Sequence, residues 1–354
     1  MATSSEGISR ATIYDVAKEA GVSSATVSRV LAGRDIVAES TRVHVTAVAE
    51  RLGYRPNQVA RSLSNRTSDM VAVMLPDITN PFFSELVKGV HSAAFERGLT
   101  TLICNTESDP ALERRYLDGL LASQVQYILV VGLTLDRESV QRYMSAGLTF
   151  IALDRPLQHS SQVLVQSDNR GGGELAVRHL ITLNHRRIAH IAGPVDVPLS
   201  ADRRQGYLDA LRAANIEVDD ALVVESEFSE QGGARAFEEL DRRGGDFTAV
   251  FAADDLIAMG ALATARQSGR SVPEDLSLVG FDDVLHARFT APPLTTVRQD
   301  ATAMGERAVE LITAPEADRP TDTVFLPVSL VLRGSTGLPP KRSAASRKDQ
   351  AWSD

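Results

Sequence analysis

Two rhythms of apolar residues divide this chain. Up to residue 66 the apolar positions recur at helical spacing, and beyond it short apolar runs alternate with helical stretches. In the first part Ile13, Val16, Ala17 and Ala20 fall at i, i+3, i+4 and i+7, which predicts one buried stripe on a short helix. Thr12 offers the N-cap and Gly21 the left-handed residue that ends the helix. A second helix begins after Ser23, with Val27, Val30 and Leu31 on one face and Gly33 closing it. The turn through Gly21, Val22 and Ser23 joins the two into a helix-turn-helix unit. A third helix, over roughly 39–52, is expected to turn Val43, Ala47, Val48 and Leu52 inward and to end at Gly53.

Periodicity alone fits an ordinary small helical bundle equally well. The outer face of the second helix, with Ser24, Ala25, Ser28 and Arg29, favours another use. A structural helix would more usually carry Glu and Lys there. A helix that enters the major groove must come close to the bases, which small side chains allow, and Arg can bond guanine through two hydrogen bonds. Ser24, Thr26 and Ser28 can reach phosphates or base edges. Pro56 then suits the first turn of a two-turn helix with Val59, Ala60 and Leu63 on its apolar face and Arg61 and Arg66 beside it. Such a helix is too short to stand alone in water. It reads as a hinge that folds when paired with a symmetry mate on DNA, with Leu63 wedged into the minor groove. A plain interdomain linker is the other reading.

The second part alternates candidate strands at 70–76, 100–105, 127–132, 149–154, 162–168, 187–193, 220–226, 248–254 and 276–283 with helical stretches at 81–97, 109–122, 170–183, 203–213, 230–242 and 255–268. Continuous apolar strands between helices predict parallel sheet covered on both faces. The strands are too many for one sheet, so two Rossmann-like lobes are expected, with chain crossings near 166–168, 296–298 and 325–328. Ligands bind such sheets beyond the carboxyl ends of strands. Those positions hold Asn80, Phe82, Phe83, Asp154, Arg203 at the start of a helix, Phe228, Asp254, Asp255, Asp282 and Asp283. Carboxylates and an Arg can direct bonds to the hydroxyls of a sugar, polyol or nucleoside, and aromatic faces can cover its apolar side. The simpler roles are a helix N-cap for Asp255, core packing for Phe83 and an ion pair for Arg203.

Length and charge refine this picture. At 354 residues the chain exceeds one ordinary core, and 43% hydrophobic with 23% charged residues is globular composition. Residues 1–66 hold nine basic and six acidic residues, a net +3, whereas the remainder holds 28 basic and 40 acidic, a net −12. A basic head on an acidic body suggests that the head meets a polyanion. Cys104 is the single cysteine, so no internal disulfide can form. The first 21 residues lack the apolar core of a signal peptide, and a cytoplasmic protein, nucleoid-associated when bound to DNA, is expected.

The stretches TIYDVAKEAGVSSATVSRVLAG and STRVHVTAVAERLGYRPNQVARSLSNR closely resemble the headpiece and hinge of the LacI/GalR family of bacterial repressors. The body resembles type I periplasmic binding proteins, so the likeness covers nearly the whole chain. The resemblance implies an all-α helix-turn-helix headpiece over 9–55, a hinge helix over 56–66 and a ligand-binding, dimerising α/β body over 67–340. Its first lobe spans about 69–166 and 297–325, and its second about 167–296 and 326–338. The resemblance assigns base reading or adjacent backbone contact to Ser24, Ala25, Ser28 and Arg29, phosphate anchoring to Tyr14, Thr26 and Asn57, and the minor-groove lever to Leu63 with Ala60 beside it. It assigns polar effector contacts to Asp154, Arg203, Asp254 and Asp282, under cover of Phe82, Phe83 and Phe228. Asp168 and Asn169 match a structural pair at the lobe crossover. Ala32 stands where many members carry Asn, and Val197 and Leu199 replace polar residues, which argues against a purine-type ligand scheme.

The expected partners are a near-palindromic double-stranded operator, a small-molecule effector and a second copy of the chain, with no membrane. No P-loop, HExxH or GxSxG is present and the seven His are scattered, so no catalysis, cofactor or metal is expected. Two other readings are a solute-binding or receptor protein without DNA function, and a regulator controlled by a protein coregulator. Residues 341–354 are polar and basic without heptads, and a disordered tail is expected.

Overall fold

The computed structural model describes residues 11–31, 37–54, 68–157, 163–244 and 246–341. The predicted hinge with Asn57, Ala60 and Leu63, together with Ala32, Gly33 and the residues after Lys341, lies outside them. The chain divides into two compact units, one ending at Asp69 and one beginning at Met70.

The head holds α1 (Ile13–Ala20), α2 (Ser24–Leu31) and α3 (Glu39–Arg51). Thr12 caps α1 in a reciprocal box. Its hydroxyl oxygen accepts from the Asp15 N–H at 3.3 Å, and the Asp15 carboxylate accepts from the Thr12 N–H at 2.8 Å. Gly21, at φ 64°, ends α1 in the left-handed region. The Ser23 hydroxyl oxygen accepts from the Thr26 N–H at 3.1 Å and starts α2. Val16, Val27, Val30, Val45 and Val48 form the centre of a small core. One expectation fails in α3: Val43 is 61% exposed and Ala47 is exposed, while Val45, Val48 and Ala49 are buried. The helix carries two apolar stripes, and a three-helix head can cover only the one that runs 45, 48, 49, 52.

The body contains two six-stranded sheets. The first has the order β11-β5-β4-β3-β1-β2, all parallel, from β1 (Met70–Leu75), β2 (Thr100–Asn105), β3 (Tyr127–Val130), β4 (Thr149–Leu153), β5 (Leu164–Ser167) and β11 (Val324–Leu326). The second has the order β12-β10-β9-β8-β6-β7, from β6 (Ile188–Ala192), β7 (Val223–Glu225), β8 (Ala249–Ala252), β9 (Ser277–Asp282), β10 (Thr295–Gln299) and β12 (Val328–Val331). Only β12 runs antiparallel to its neighbour. Helices α4 (Pro81–Glu96), α5 (Pro110–Ala122), α6 (Arg137–Ser145) and α11 (Ala301–Thr313) accompany the first sheet. The second carries α7 (Asn169–Thr182), α8 (Pro198–Ala213), α9 (Glu230–Arg242) and α10 (Asp255–Gln267).

β10 escapes the apolar-run pattern because its sequence, TTVRQ, is mostly polar, and β11 and β12 escape it as short, half-exposed edge strands. Helix α6 escapes because it buries only Val140 and Tyr143. The lobe boundaries shift accordingly. Ser167 and Leu326 pair within the first sheet, whereas Val297, Arg298 and Gln299 pair with β12 in the second. The chain therefore crosses just after Ser167, just after Gln299 and between Leu326 and Val328.

Candidate effector cleft and DNA-reading face

One cleft gathers the carboxyl ends of both sheets. Asn80, Phe82 and Phe83 reach it from the start of α4, Asp154 and Arg155 from the end of β4, and Leu199 and Arg203 from α8. Phe228 follows β7, Asp254 follows β8, and Asp282 and Gln299 end β9 and β10. All seven residues expected to contact an effector therefore meet in one place. The cleft encloses only about 20 Å³, on the order of one water. A sugar-sized ligand needs more room than this.

Arg203 is the centre of this arrangement. It lies in the second turn of α8 rather than at its start, because Pro198 opens the helix. The glycine-rich start of α7 lets α8 press close: a Cβ at Gly173 would lie 2.4 Å from the Arg203 carbonyl oxygen, and one at Gly206 2.1 Å from that of Arg170. The Arg203 side chain is thereby held almost fully buried. Its Nε donates to Asn169 Oδ1 at 2.9 Å and its Nη1 to the Ala253 carbonyl at 2.6 Å. Nη1 also stands 3.6 Å from Asp282 Oδ1, and the guanidinium lies 3.8 Å from the Phe281 ring centroid. Asp168 caps α7 by accepting from the Gly171 N–H, so the Asp168–Asn169 pair shapes the crossover and orients Arg203.

The carboxylates around Arg203 are buried and their protons are held tightly. Burial raises Asp254 to about 7. Burial also raises Asp282 well above the usual carboxylate range against the pull of Arg203, while Asp254, Asp255 and Asp154 add to the rise. Asp154 is raised by burial too, opposed by Arg155 and Arg203. Asp154 at φ 58° and Asp282 at φ 108° occupy left-handed backbone, which costs on the order of 1–3 kcal/mol each and is typical of ligand clamps. The N-cap role expected of Asp255 belongs to Asp254, which accepts from the Ile257 N–H at 2.7 Å. Asp255 lies behind the cleft, where one oxygen accepts from the Thr296 hydroxyl at 2.6 Å and the other from the Val284 N–H at 2.9 Å. Asp283 pairs with Arg298 at 2.7 Å and with Arg333, away from the cleft lining.

Bonding in the cleft is incomplete. Asp282 Oδ1 accepts from Gln299 Nε2 at 2.6 Å, but Gln299 Oε1 is buried without a partner. Asp154 Oδ1 and Arg155 Nε are likewise buried and without hydrogen bonds. Among the described residues these three atoms account for nearly half of the seven such side-chain atoms, and they share one small cavity. Phe82 and Phe83 meet edge to face at 5.4 Å, and Phe228 approaches because Gly193 has no side chain: a Cβ there would lie 2.4 Å from its ring. Leu199 is buried in the lining, in keeping with the apolar rim read from the sequence. Arg155 and Gln299 are the lining residues that the sequence reading missed. Arg155 follows a candidate Asp directly, and Gln299 ends a strand whose polar residues hide it.

On the head, Ala25, Ser28 and Arg29 are exposed along α2, and Ser24 and Thr26 are half-buried. Tyr14 on α1 is 73% exposed. Val27 and Val30 face the core on the opposite side. The helix therefore presents a low, small-residue surface with one cation.

Comparison with known proteins agrees with this geometry. Residues 12–57 match bacterial regulatory proteins of the lacI family, and residues 177–336 match the periplasmic binding protein-like domain. The chain is 40% identical over 331 residues to the HTH-type transcriptional regulator CelR of Thermobifida fusca, covering 91% of this chain and 96% of that one. It is 37% identical to the regulator GalR of Escherichia coli, covering 93% and 96%. The chain belongs to the LacI family. Among solved structures, a lac repressor dimer bound to operator and the anti-inducer ONPF aligns with TM-score 0.81 at 29% identity, covering 92% of this chain and 99% of that one. A CelR–cellobiose complex aligns with TM-score 0.70 at 35% identity, covering 92% and 100%. This LacI-family chain is a DNA-binding transcriptional regulator with a helix-turn-helix head and a periplasmic-binding-protein-like effector body. No helix among its described residues is long and apolar enough to cross a membrane.

Proposed function

We propose that this LacI-family member is a cytoplasmic repressor that binds a near-palindromic operator as a homodimer and answers to a small polyhydroxy metabolite, sugar-like in its chemistry. The observation that carries the reading is the cleft: buried carboxylates, two guanidiniums and three phenylalanines converge there with bonding capacity unused. Asp154, Arg203, Asp254 and Asp282 bond the effector, and Phe82, Phe83 and Phe228 cover it. Ser24, Ala25, Ser28 and Arg29 meet base edges and Tyr14 and Thr26 meet phosphates, with Asn57, Ala60 and Leu63 of the hinge segment completing the contact. Effector binding shifts the population between two lobe arrangements and so alters how well the paired heads fit their half-sites. No catalytic step and no cofactor belong to this reading.

The test is operator binding by the full chain, on a duplex selected from random sequence by the protein itself. Affinity is measured with and without a panel of sugars, polyols and nucleosides. One or more of these should change operator affinity, and Asp282→Ala should abolish that change while operator binding without ligand stays as in the parent. An Asp282→Ala variant that responds as before removes Asp282 from the site. A regulator that ignores the whole panel but responds to a protein partner has a coregulator instead.

A further inference from the structure

A second pocket, of about 540 Å³, lies next to the effector cleft and shares no lining residue with it. It opens between the outer edge of the second sheet, at β6 and β7, and the flank of α8. A volume of that size suits a small metabolite. The phase of α8 separates the two sites. Leu199 and Arg203 line the cleft, whereas Ser200, Arg204 and Leu208, spaced four residues apart, line the pocket. Gly193 is the wall between them. A Cβ there would lie 2.4 Å from the Phe228 ring, which lines the cleft, and 2.6 Å from Ser200 Oγ.

The α8 side of the pocket holds donors without acceptors. Ser200 is 3% exposed, and its buried Oγ has no hydrogen-bond partner. A buried hydroxyl in that state is costly until something completes its bonding. One turn on, Arg204 is exposed and makes no ion pair among the described residues. No side chain caps α8, because Val197 holds the N-cap and Pro198 follows, so the first turn keeps the positive end of its dipole. These three features sit side by side and favour an anionic oxygen ligand.

The opposite side offers acceptors. Glu225 uses Oε1 to accept from the Val195 N–H at 2.8 Å, and Asp220 stands at the rim. Two carboxylates accept from hydroxyls and repel a doubly charged phosphate. Val195, Val223 and Leu208 supply the apolar contact.

We propose that this pocket is a second ligand site and that it takes a polyhydroxy carboxylate, a sugar acid. The ligand's carboxylate accepts from Ser200 and Arg204, its hydroxyls donate to Glu225 and Asp220, and its carbon skeleton lies on Val195, Val223 and Leu208. The site stands apart from the effector reading, since the two pockets have no lining residue in common.

The experiment is calorimetry on the full chain at pH 7 with matched pairs: glucuronate with glucose, galacturonate with galactose, gluconate with sorbitol. Glucose 6-phosphate serves as the dianionic probe. At least one acid should bind about tenfold or more tightly than its neutral counterpart. For that acid, Arg204→Ala should weaken binding about tenfold or more and Ser200→Ala about threefold or more. Arg204 is exposed, so its variant probes the site without touching the core. An acid that binds Arg204→Ala as it binds the parent sits elsewhere and overturns the proposal. A neutral counterpart that binds as tightly as its acid overturns it, as does failure of all three acids to bind. Tighter binding of glucose 6-phosphate than of every acid overturns it too, because the two carboxylates then fail to exclude a dianion.

Discussion

The face of α2 proposed to read DNA and the cleft proposed to hold the effector are built on opposite principles. On α2 the recognising groups stand in water, while Val27 and Val30 on the far side do the folding. Ala25, Ser28 and Arg29 are exposed there and lie outside the head's core. In the cleft the recognising groups are the structure. Arg203 is pinned by Asn169, Ala253 and Phe281, Asp254 caps α10, and Asp154 and Asp282 sit on left-handed backbone. An exposed reader costs the fold nothing, whereas a buried one ties recognition to stability.

Arg203→Ala should break this comparison most strongly. Its loss leaves Asp282 and Asp254 buried without their cation and removes the packing on Phe281. Breaking a buried pair in this way costs about 3–5 kcal/mol. The body should unfold at lower denaturant, and the effector response should vanish together with that stability. Arg29→Ala is the counterpart on the head. A lost bidentate base contact costs about 1–3 kcal/mol of discrimination. Operator affinity should fall by that amount and relax at one base position, with no change in the unfolding of either unit. If Arg29→Ala lowers head stability as much as it lowers operator affinity, the separation of reading from folding on α2 is wrong.

The same difference explains what the sequence made legible. The head is local: the Thr12–Asp15 box, Gly21, Ser23 and the stripe through Val27 and Val30 are each set within a few residues, and the pattern alone places them. Its one misplaced face, Val43 and Ala47 on α3, depends on which of two stripes the neighbouring helices cover. In the body the strand-end rule located Asp154, Asp254 and Asp282, since a residue after an apolar run needs no tertiary knowledge. Gln299 escaped because β10 reads as polar and earns strand status only by pairing between β9 and β12. The sequence reading gave Asp254 to the effector and offered the N-cap to Asp255, whereas the cap belongs to Asp254. Their roles differ by where α10 starts, and a shift of one residue sends one carboxylate to the cleft and the other to Thr296 and Val284.

Asp255 supplies the sharpest test. Burial raises it from 3.8 to about 8, although the Thr296 hydroxyl and the Val284 N–H both favour its charged form. Asp254 is raised to about 7 in the same way. A folded-state value above the unfolded one means that the native body holds protons the unfolded chain has released. The stability these groups contribute is complete below pH 4 or so and is lost as pH rises through about 8. Each retained proton is worth about 1.4 kcal/mol per pH unit within that window. Chemical unfolding of the body should therefore show stability falling from pH 5 to pH 8. Asp255→Asn should flatten the slope by one proton, because Asn is neutral throughout and the Thr296 hydroxyl can turn to accept from its amide. The head should show no matching slope from Asp15, which Thr12 holds below its usual value, so its effect falls at lower pH. An unchanged slope in Asp255→Asn would mean that Asp255 is ionised in the fold. Its two donors would then outweigh its burial, and the contrast between complete bonding behind the cleft and incomplete bonding within it would deepen.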